Sequence, residues 1–262
     1  MITSRHNERL KDFRRVRRCR DDRALLEGPH LVLEALATGL ELGPVLATQR
    51  FVEGDGGRDV VASLPRPPLL VEPRLLDEMA DSDSPRGLLT TVTLPRPPVT
   101  QLPRVDDGLY VFVDGLQDPG NLGALARVAE AAGATALALG PGCAHPNHPR
   151  ALRASAGSLL RIPVARSVDP EELQGHLADL SPRWLALEPR QGDDLYTAEL
   201  AGTVVLLLGA EGPGLSPAAQ GMATERVTIP MAQGVESLNA TVAAALVLFE
   251  WRRRRLSRPA RT

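Results

Sequence analysis

From residue 108 onward, short apolar segments alternate with helical segments, and this alternation constrains the fold more than any other feature of the chain. Strands that alternate with helices form a mostly parallel sheet with helices on both faces. Because ligands of such sheets bind beyond the carboxyl ends of the strands, we expect the functional residues in the loops that follow them. The predicted strands are 109–113, 136–139, 162–164, 184–187, 204–208 and 226–229, and the predicted helices are 121–132, 150–160 and 170–180.

The C-terminal segment 227–255 combines a short strand, a polar loop and a long helix. Pro230 ends the strand because proline has no N–H group to donate to a β-ladder. Ser237 is expected to cap the first turn of the helix, and Asn239 is unusual inside that turn. By itself the segment is compatible with an ordinary capped helix and equally with a ligand-binding loop. The helix is predicted from apolar residues at three- and four-residue spacing, Leu238, Val242, Ala245 and Phe249.

The loop that follows the first of these strands contains the sequence DPGN at 118–121. It has neither the G-x-G-x-x-G pattern of dinucleotide-binding loops nor the lysine of phosphate-binding loops. The turn places Asn121 at the start of a helix, and Arg127 follows nearly two turns later. A surface arginine is the simpler interpretation of Arg127, but the apolar residues around it favour a functional one.

A second loop, at 206–216, is rich in glycine. Gly209, Gly212 and Gly214 allow the backbone to approach a ligand closely, and Glu211 is the only charged residue in the loop. Considered alone, the loop could also be a glycine-rich turn with a solvated glutamate. Three loops at strand ends, each with a polar residue in apolar sequence, together predict one composite site.

The chain before residue 108 differs in composition. Residues 1–94 are predicted to form a small α/β domain, and the segment 95–107 is predicted to be a linker, because its prolines favour extended, semi-rigid backbone. The net charge of the chain is −2, yet its first residues are strongly basic. Such a segment indicates contact with nucleic acid, although a solvated helix face is the alternative. The candidate contact residues are Arg5, Arg9, Arg14, Arg15, Arg17, Arg18 and Arg20.

Other functional classes are poorly supported. The N-terminus lacks the apolar core of a secretory signal, and no apolar run approaches the roughly twenty residues that span a bilayer, so we expect no membrane partner. Cys19 and Cys143 are far apart, which we interpret as reduced thiols of a cytoplasmic protein. Cys143, His145 and His148 lie in an irregular loop, so we expect no metal. The chain has no G-x-S-x-G motif, which argues against a serine hydrolase.

Three motifs resemble those of the SpoU (TrmH-like) family of RNA ribose 2′-O-methyltransferases, in the SPOUT superfamily. The resemblance covers 108–255, and RASAG at 153–157 is also similar to a family segment. Residues 2–36 resemble the substrate-binding domain that precedes the catalytic domain in many ribosomal RNA members. In the family's order, the motifs are DPGNLG at 118–123 with Arg127, LGAEGPGL at 208–215, and IPM at 229–231 with SLN at 237–239.

The resemblance implies an α/β fold in which a parallel-sheet SPOUT domain, 108–262, contains a deep trefoil knot and follows a small RNA-binding domain, 1–94. It implies a homodimer whose active site lies near the interface. It also implies S-adenosylmethionine as the cofactor, held in the knot by backbone groups of the loops. The cofactor contacts carried over from the family are Leu208, Gly209, Ile229, Met231, Ser237 and Leu238.

The resemblance further implies methyl transfer to a ribose 2′-hydroxyl. Because the pKa of a guanidinium is very high, we expect Arg127 to stabilise the developing alkoxide and not to accept its proton. The other members of the catalytic set would orient Arg127 and the ribose; they are Asn121, Glu211, Ser237 and Asn239. The N-terminal domain favours 23S ribosomal RNA as the substrate. The alternatives are transfer RNA, or a non-catalytic protein of RNA binding or ribosome assembly.

Overall fold

The computed structural model describes residues 1–18 and 22–257. Arg20, one of the candidate RNA contacts, and Cys19 lie outside these ranges. The chain divides into two compact units, Met1–Pro95 with His145–Arg161, and Arg96–Ala144 with Ile162–Thr262. The boundaries predicted from the sequence assigned 145–161 to the second domain, whereas these residues group with the first unit.

Helices and strands are numbered separately in chain order. The helices are α1 (Glu8–Arg18), α2 (Pro29–Ala37), α3 (Gln49–Glu53), α4 (Gly57–Ser63), α5 (Pro73–Asp77), α6 (Pro119–Ala132), α7 (Pro149–Ala154), α8 (Ser158–Arg161), α9 (Pro170–Leu177), α10 (Pro217–Met222) and α11 (Ala240–Leu256). The strands are β1 (Arg23–Glu27), β2 (Leu46–Ala47), β3 (Leu69–Leu70), β4 (Leu88–Thr93), β5 (Leu109–Val113), β6 (Ala136–Leu139), β7 (Val164–Arg166), β8 (Arg183–Leu187), β9 (Asp193–Asp194), β10 (Val204–Leu208) and β11 (Glu225–Thr228).

A four-stranded sheet forms the centre of the first unit, in the order β1-β4-β2-β3. β4 is antiparallel to both of its neighbours, and β2 and β3 are parallel. The basic helix α1 buries Leu10, Phe13 and Val16, which share one side of the helix because they are three residues apart. Its apolar side therefore belongs to the core of this unit, and its arginines surround that side.

The segment 145–161 contributes α7 and α8 to the first unit. Arg153 of α7 forms ion pairs with Glu27 at 3.4 Å and with Asp81 at 2.9 Å. The Glu27 side chain is only 4% exposed, so the guanidinium compensates a buried charge. The prediction of a single helix at 150–160 is wrong, because the structure has two short helices, α7 and α8, in its place. Between them, Ala156 (φ 47°) and Gly157 (φ 93°) adopt left-handed backbone, which interrupts the helix.

A seven-stranded sheet forms the second unit, in the order β7-β6-β5-β10-β8-β11-β9. Every neighbouring pair is parallel, which confirms the predicted parallel α/β sheet. The central strands β5 and β10 are buried at every residue. Continuous apolar strands are expected for a parallel sheet covered on both faces.

The topology brings the loops of interest to one edge of this sheet. β5, β10, β8 and β11 are neighbours and run in the same direction, so the loops after them emerge side by side. α6, which follows β5, packs against α11, which follows β11. Within the described ranges, none of the helices combines the length and the apolar content that a membrane crossing requires.

Candidate active site

The first part of the site is the turn between β5 and α6. Asp118 caps α6, because its Oδ1 accepts a hydrogen bond from the backbone N–H of Asn121 at 2.8 Å. Pro119 occupies the first position of the helix, where its missing N–H group has no consequence. The cap and the proline therefore fix Asn121 in the first turn of α6, as the sequence predicts.

The second part is the glycine-rich loop after β10. Ala210 and Gly214 exchange two backbone hydrogen bonds of 3.1 Å, which close the loop on itself. Gly212 (φ 93°) and Gly214 (φ 76°) adopt left-handed backbone that other residues rarely use. A Cβ atom on Gly209 would lie 2.3 Å from the carbonyl carbon of Gly214. Glycine is thus required for the loop to fold back so tightly, and Glu211 lies at its tip.

The third part is the start of α11. The helix begins at Ala240, and Asn239 is its N-cap: Oδ1 accepts from the N–H groups of Thr241 at 3.0 Å and Val242 at 3.3 Å. The prediction that Ser237 caps the helix and that Asn239 lies inside its first turn is therefore wrong. The cap falls two residues later, and an asparagine, which is unfavourable in a first turn, is among the preferred N-cap residues.

A hydrogen-bond network joins these three parts. Oε1 of Glu211 accepts from Nδ2 of Asn121 and from Nδ2 of Asn239, both at 2.9 Å. The hydroxyl of Thr241 donates to the backbone carbonyl of Asn121 at 3.1 Å. The structure thus brings together the three loops that the sequence marks as a composite site, through one carboxylate oxygen.

A cavity of about 620 Å³ opens beside this network, at the carboxyl ends of β8, β10 and β11. Its wall includes Glu211 and Asn239, with apolar side chains such as Leu215 and Ala243. All six residues predicted as cofactor contacts line it, namely Leu208, Gly209, Ile229, Met231, Ser237 and Leu238. The volume falls within the range of small-molecule sites.

The sequence prediction missed a fourth wall of this cavity. Leu187, Glu188 and Pro189, at the end of β8, line it together with Glu236. These residues carry no glycine motif, and the available signal was only their position after a predicted buried strand. The neighbouring strand order, which places β8 between β10 and β11, brings them to the site.

Arg127 is the one member of the predicted catalytic set that stands apart. It is exposed, it does not line the cavity, and within the described residues it has no hydrogen bond or ion pair. Six residues along α6 correspond to a rotation of about 240° from Asn121. Its guanidinium is therefore available to a group from outside this chain.

The candidate RNA contacts that lie within the described residues fall into two groups. Arg14 donates to the backbone carbonyl of Arg5 at 2.8 Å, and Arg17 donates to the carbonyls of Glu78 and Ala80 at 2.6 and 3.0 Å. Arg5 itself pairs with Glu78 at 3.4 Å. A second group is exposed and has no hydrogen bond or ion pair within the described ranges, namely Arg9, Arg15 and Arg18.

Comparison with known proteins shows that this chain is similar to RNA methyltransferases in sequence and in structure. The model of the SpoU rRNA Methylase family matches residues 108–249. An uncharacterized tRNA/rRNA methyltransferase of Synechocystis is 33% identical over 96% of this chain and 93% of its own length. A 23S rRNA (uridine-2′-O)-methyltransferase of Streptomyces viridochromogenes is 29% identical over 98% and 93%, respectively. The crystal structure of the SpoU methyltransferase AviRb from that organism, in complex with AdoMet, superposes with a TM-score of 0.87, at 26% identity, and covers 96% of this chain and 99% of that one.

Proposed function

The chain belongs to the SpoU rRNA methylase family, and from this premise we propose that it transfers a methyl group from S-adenosylmethionine to a ribose 2′-hydroxyl of 23S ribosomal RNA. A relative that matches 98% of the chain and another that matches 57% of it are named 23S rRNA 2′-O-methyltransferases. Transfer RNA is the less favoured substrate, because a structure concerned with tRNA methylation covers only 58% of the chain, whereas a 23S rRNA methyltransferase matches 98% of it.

The observation that carries the proposal is the shared acceptor Oε1 of Glu211. Asn121, Glu211 and Asn239 come from three separate motifs of the family, and they meet at the mouth of the cavity. The set is complete, because each of the three motifs contributes its polar residue and all three side chains meet in one hydrogen-bond network. The non-catalytic alternative is therefore the weaker one, although a fold alone does not decide function.

The cavity suits S-adenosylmethionine. It has apolar walls for an adenine ring, backbone groups of two loops, and carboxylates at its edge. When bound, the cofactor supplies a methyl group carried on a positively charged sulfonium. The residues of this chain that would hold it are Leu208, Gly209, Ile229, Met231, Ser237 and Leu238.

Arg127 acts, in this proposal, on the RNA. A guanidinium stays protonated at any physiological pH, so Arg127 is suited to stabilise the alkoxide that develops at the ribose oxygen, or to bind the adjacent phosphate. It does not serve as the proton acceptor. Asn121, Glu211, Ser237 and Asn239 are positioning residues, which hold the loops and orient the ribose.

The proposal includes a homodimer. Val242, Leu246 and Phe249 are 51%, 38% and 48% exposed, and their spacing of four and three residues places them on one face of α11. A row of large apolar residues exposed on a helix indicates a surface that another protein covers. With a second copy on this face, Arg127, on the adjacent helix α6, would act beside the interface or across it.

The first unit serves as the RNA-binding domain of this proposal. Arg9, Arg15 and Arg18 are exposed on α1 and form no hydrogen bond or ion pair among the described residues, so they are available to phosphates. Ribosomal RNA as the substrate implies a cytoplasmic location. The trefoil knot that the family resemblance implies is also part of this proposal.

Transfer of labelled methyl groups tests this function. The full-length protein is incubated with labelled S-adenosylmethionine and with unmodified ribosomal or transfer RNA, with Arg127→Ala as the control variant. Label in ribosomal RNA, at one site that resists alkaline cleavage, is the expected result. Label in transfer RNA would change the substrate and keep the chemistry. Cofactor binding without any transfer would favour the non-catalytic alternative.

A further inference from the structure

The cavity beside Glu211 is negatively charged. Three glutamates line it, Glu188, Glu211 and Glu236, and among its described lining residues there is no lysine, arginine or histidine. Two of the three carboxylates have partners. Glu211 accepts from two asparagines, and Glu236 lies 3.6 Å from the guanidinium of Arg190. The remaining one, Glu188, has no hydrogen bond or ion pair to its side chain within the described residues.

Glu188 is held in a fixed position by the sheet. It follows directly after β8, and its backbone N–H donates to the carbonyl of Val227 in β11 at 2.9 Å. Pro189 follows and restricts the backbone of Glu188 to extended conformations. The residue is half-buried, so its charge is less screened than that of a fully exposed carboxylate. A negative charge without a partner among the described residues, on a residue that lines the cavity, favours a ligand with positive charge.

The proposed reaction presents this cavity with two ligands that differ mainly in charge. S-adenosylmethionine carries a positive sulfonium, and its demethylated product, S-adenosylhomocysteine, has a neutral thioether in the same place. We propose that Glu188 is a specificity-determining residue that makes the cavity prefer the cofactor to the product. The inference rests on the proposed function, since it takes these two molecules as the ligands. As a consequence, S-adenosylhomocysteine should inhibit the reaction more weakly than it would if the cavity selected its ligands by shape alone.

Isothermal titration of the full-length protein tests this inference without any turnover. The ligands are S-adenosylmethionine, S-adenosylhomocysteine and sinefungin, in which a carbon atom that carries an ammonium group replaces the methylated sulfur. For Glu188→Gln, we expect the affinity for both cationic ligands to fall about 4- to 10-fold, as one charge a few ångströms away in a half-exposed site would give. The affinity for S-adenosylhomocysteine should change by less than about twofold, and raising the salt concentration should reduce the preference of the wild type.

Two variants serve as controls for the removal of one negative charge. Glu199→Gln removes an exposed carboxylate of the same unit that does not line the cavity, and should change none of the affinities. Glu236→Gln removes a lining carboxylate that already has Arg190 as a partner, and should have a smaller effect than Glu188→Gln. Thermal unfolding of each variant establishes that it is folded.

The outcomes separate this inference from the proposed function. If the wild type binds all three ligands but Glu188→Gln weakens them equally, or weakens none, Glu188 does not select charge and the inference fails alone. If the folded wild type binds neither the cofactor nor the product, the proposed function itself fails. A selective decrease in affinity for the two cationic ligands supports both.

Discussion

The side-chain amide of Asn239 makes two kinds of contact: its nitrogen bonds to Glu211, 28 positions away in the sequence, and its oxygen bonds to the first turn of its own helix. Its Nδ2 donates to Oε1 of Glu211 at 2.9 Å, while its Oδ1 caps α11. One asparagine therefore fixes the start of the C-terminal helix and the tip of the glycine-rich loop at the same time. Asn239 therefore contributes both to the stability of the fold and to the geometry of the site, and variants can separate the two contributions.

We expect Asn239→Ala to lower the free energy of unfolding by about 1 kcal/mol, because it removes an N-cap, and to reduce methyl transfer as well. Asn239→Ser keeps a capping oxygen, but its side chain is one bond too short for its hydroxyl to donate to Glu211 from the capping position, so it should restore stability and leave kcat low. Ser237→Ala should leave stability unchanged, since Ser237 does not cap the helix. Urea denaturation and steady-state kinetics measure the two effects. Equal recovery of both by Asn239→Ser would contradict a positioning role of the hydrogen bond to Glu211.

Two glycines of the second unit should respond in opposite ways to alanine. A Cβ on Gly209 would collide with the backbone of Gly214, whereas nothing lies within 4 Å of a Cβ on Gly221, in α10. Gly209→Ala is expected to distort the loop and weaken binding of S-adenosylmethionine by at least about tenfold, which corresponds to about 1.4 kcal/mol. Gly221→Ala should leave binding intact and stabilise the fold by up to about 1 kcal/mol. Calorimetric titration and urea denaturation of both variants check this, and unchanged binding by Gly209→Ala would remove the loop from the cofactor site.

Acid should weaken the anchoring of α11 through Glu250. This buried carboxylate accepts from Arg253 at 2.7 and 2.8 Å and from Arg254 at 2.7 Å, and these hydrogen bonds lower its pKa from 4.5 to about 2. Arg254 in turn donates to the carbonyl of Leu195 at 3.0 Å. Because the folded-state pKa lies below the unfolded value, this contribution is complete above about pH 4.5 and is lost as the pH falls towards 2.

Glu250→Gln removes the charge and should abolish this part of the pH dependence. We expect the variant to be less stable than the wild type by on the order of 1 kcal/mol at pH 7, since the arginine partners are partly exposed, and the difference should shrink below about pH 4. Urea denaturation across the acidic range and at neutral pH measures it. A difference that is independent of pH would mean that the carboxylate acts through packing alone.

The exposed face of α11 should mediate self-association. Phe249→Asp introduces a charge into the exposed apolar row of Val242, Leu246 and Phe249. We expect this variant to be a monomer, and the wild type a dimer, in light-scattering measurements. Methyl transfer should also be lost if Arg127 acts across the interface. Tyr196→Asp, which replaces a large residue that is 55% exposed elsewhere in the same unit, is the matched control and should remain dimeric. A wild type that is monomeric at micromolar concentration would refute the homodimer.

The sequence predicts the parallel sheet because apolar strand segments alternate with helical segments from residue 108 onward. It also identifies Asn121 and Glu211, since each sits in a short motif directly after such a strand. It does not predict Glu188, because a glutamate before a proline has no local mark of function. Its place at the cavity follows only from the strand order, which is set by long-range pairing of β8 with β10 and β11.

The interruption of the helix at 156–157 had a local signal that the prediction overlooked, because Gly157 is a poor helix former and readily adopts left-handed backbone. The error at the start of α11 has a long-range cause. Ser237 and Asn239 are both good N-cap residues, and the bond from Asn239 to Glu211, far away in the sequence, favours the second of them. Local preference offers two N-cap residues, and a distant interaction is consistent with the choice of Asn239.

The two groups of arginines on the first unit lead to the final prediction. Arg14 and Arg17 hold backbone carbonyls within the unit, whereas Arg9, Arg15 and Arg18 have no such partner among the described residues. We expect the triple variant with glutamine at 9, 15 and 18 to bind ribosomal RNA more weakly. The slope of log affinity against log salt should become shallower by about 0.7 to 0.9 for each phosphate that the variant no longer neutralises. Its folding stability should be unchanged.

The control for this variant carries the same change of charge on another part of the same unit, with glutamine replacing the exposed Arg50, Arg58 and Arg66. If α1 contacts the RNA backbone, the salt slope falls only in the first variant, because counterions are released only where phosphates are neutralised. If both variants weaken binding equally, the effect belongs to the net charge of the unit. If neither does, the arginines of α1 are a solvated helix face, and the RNA is bound by another surface.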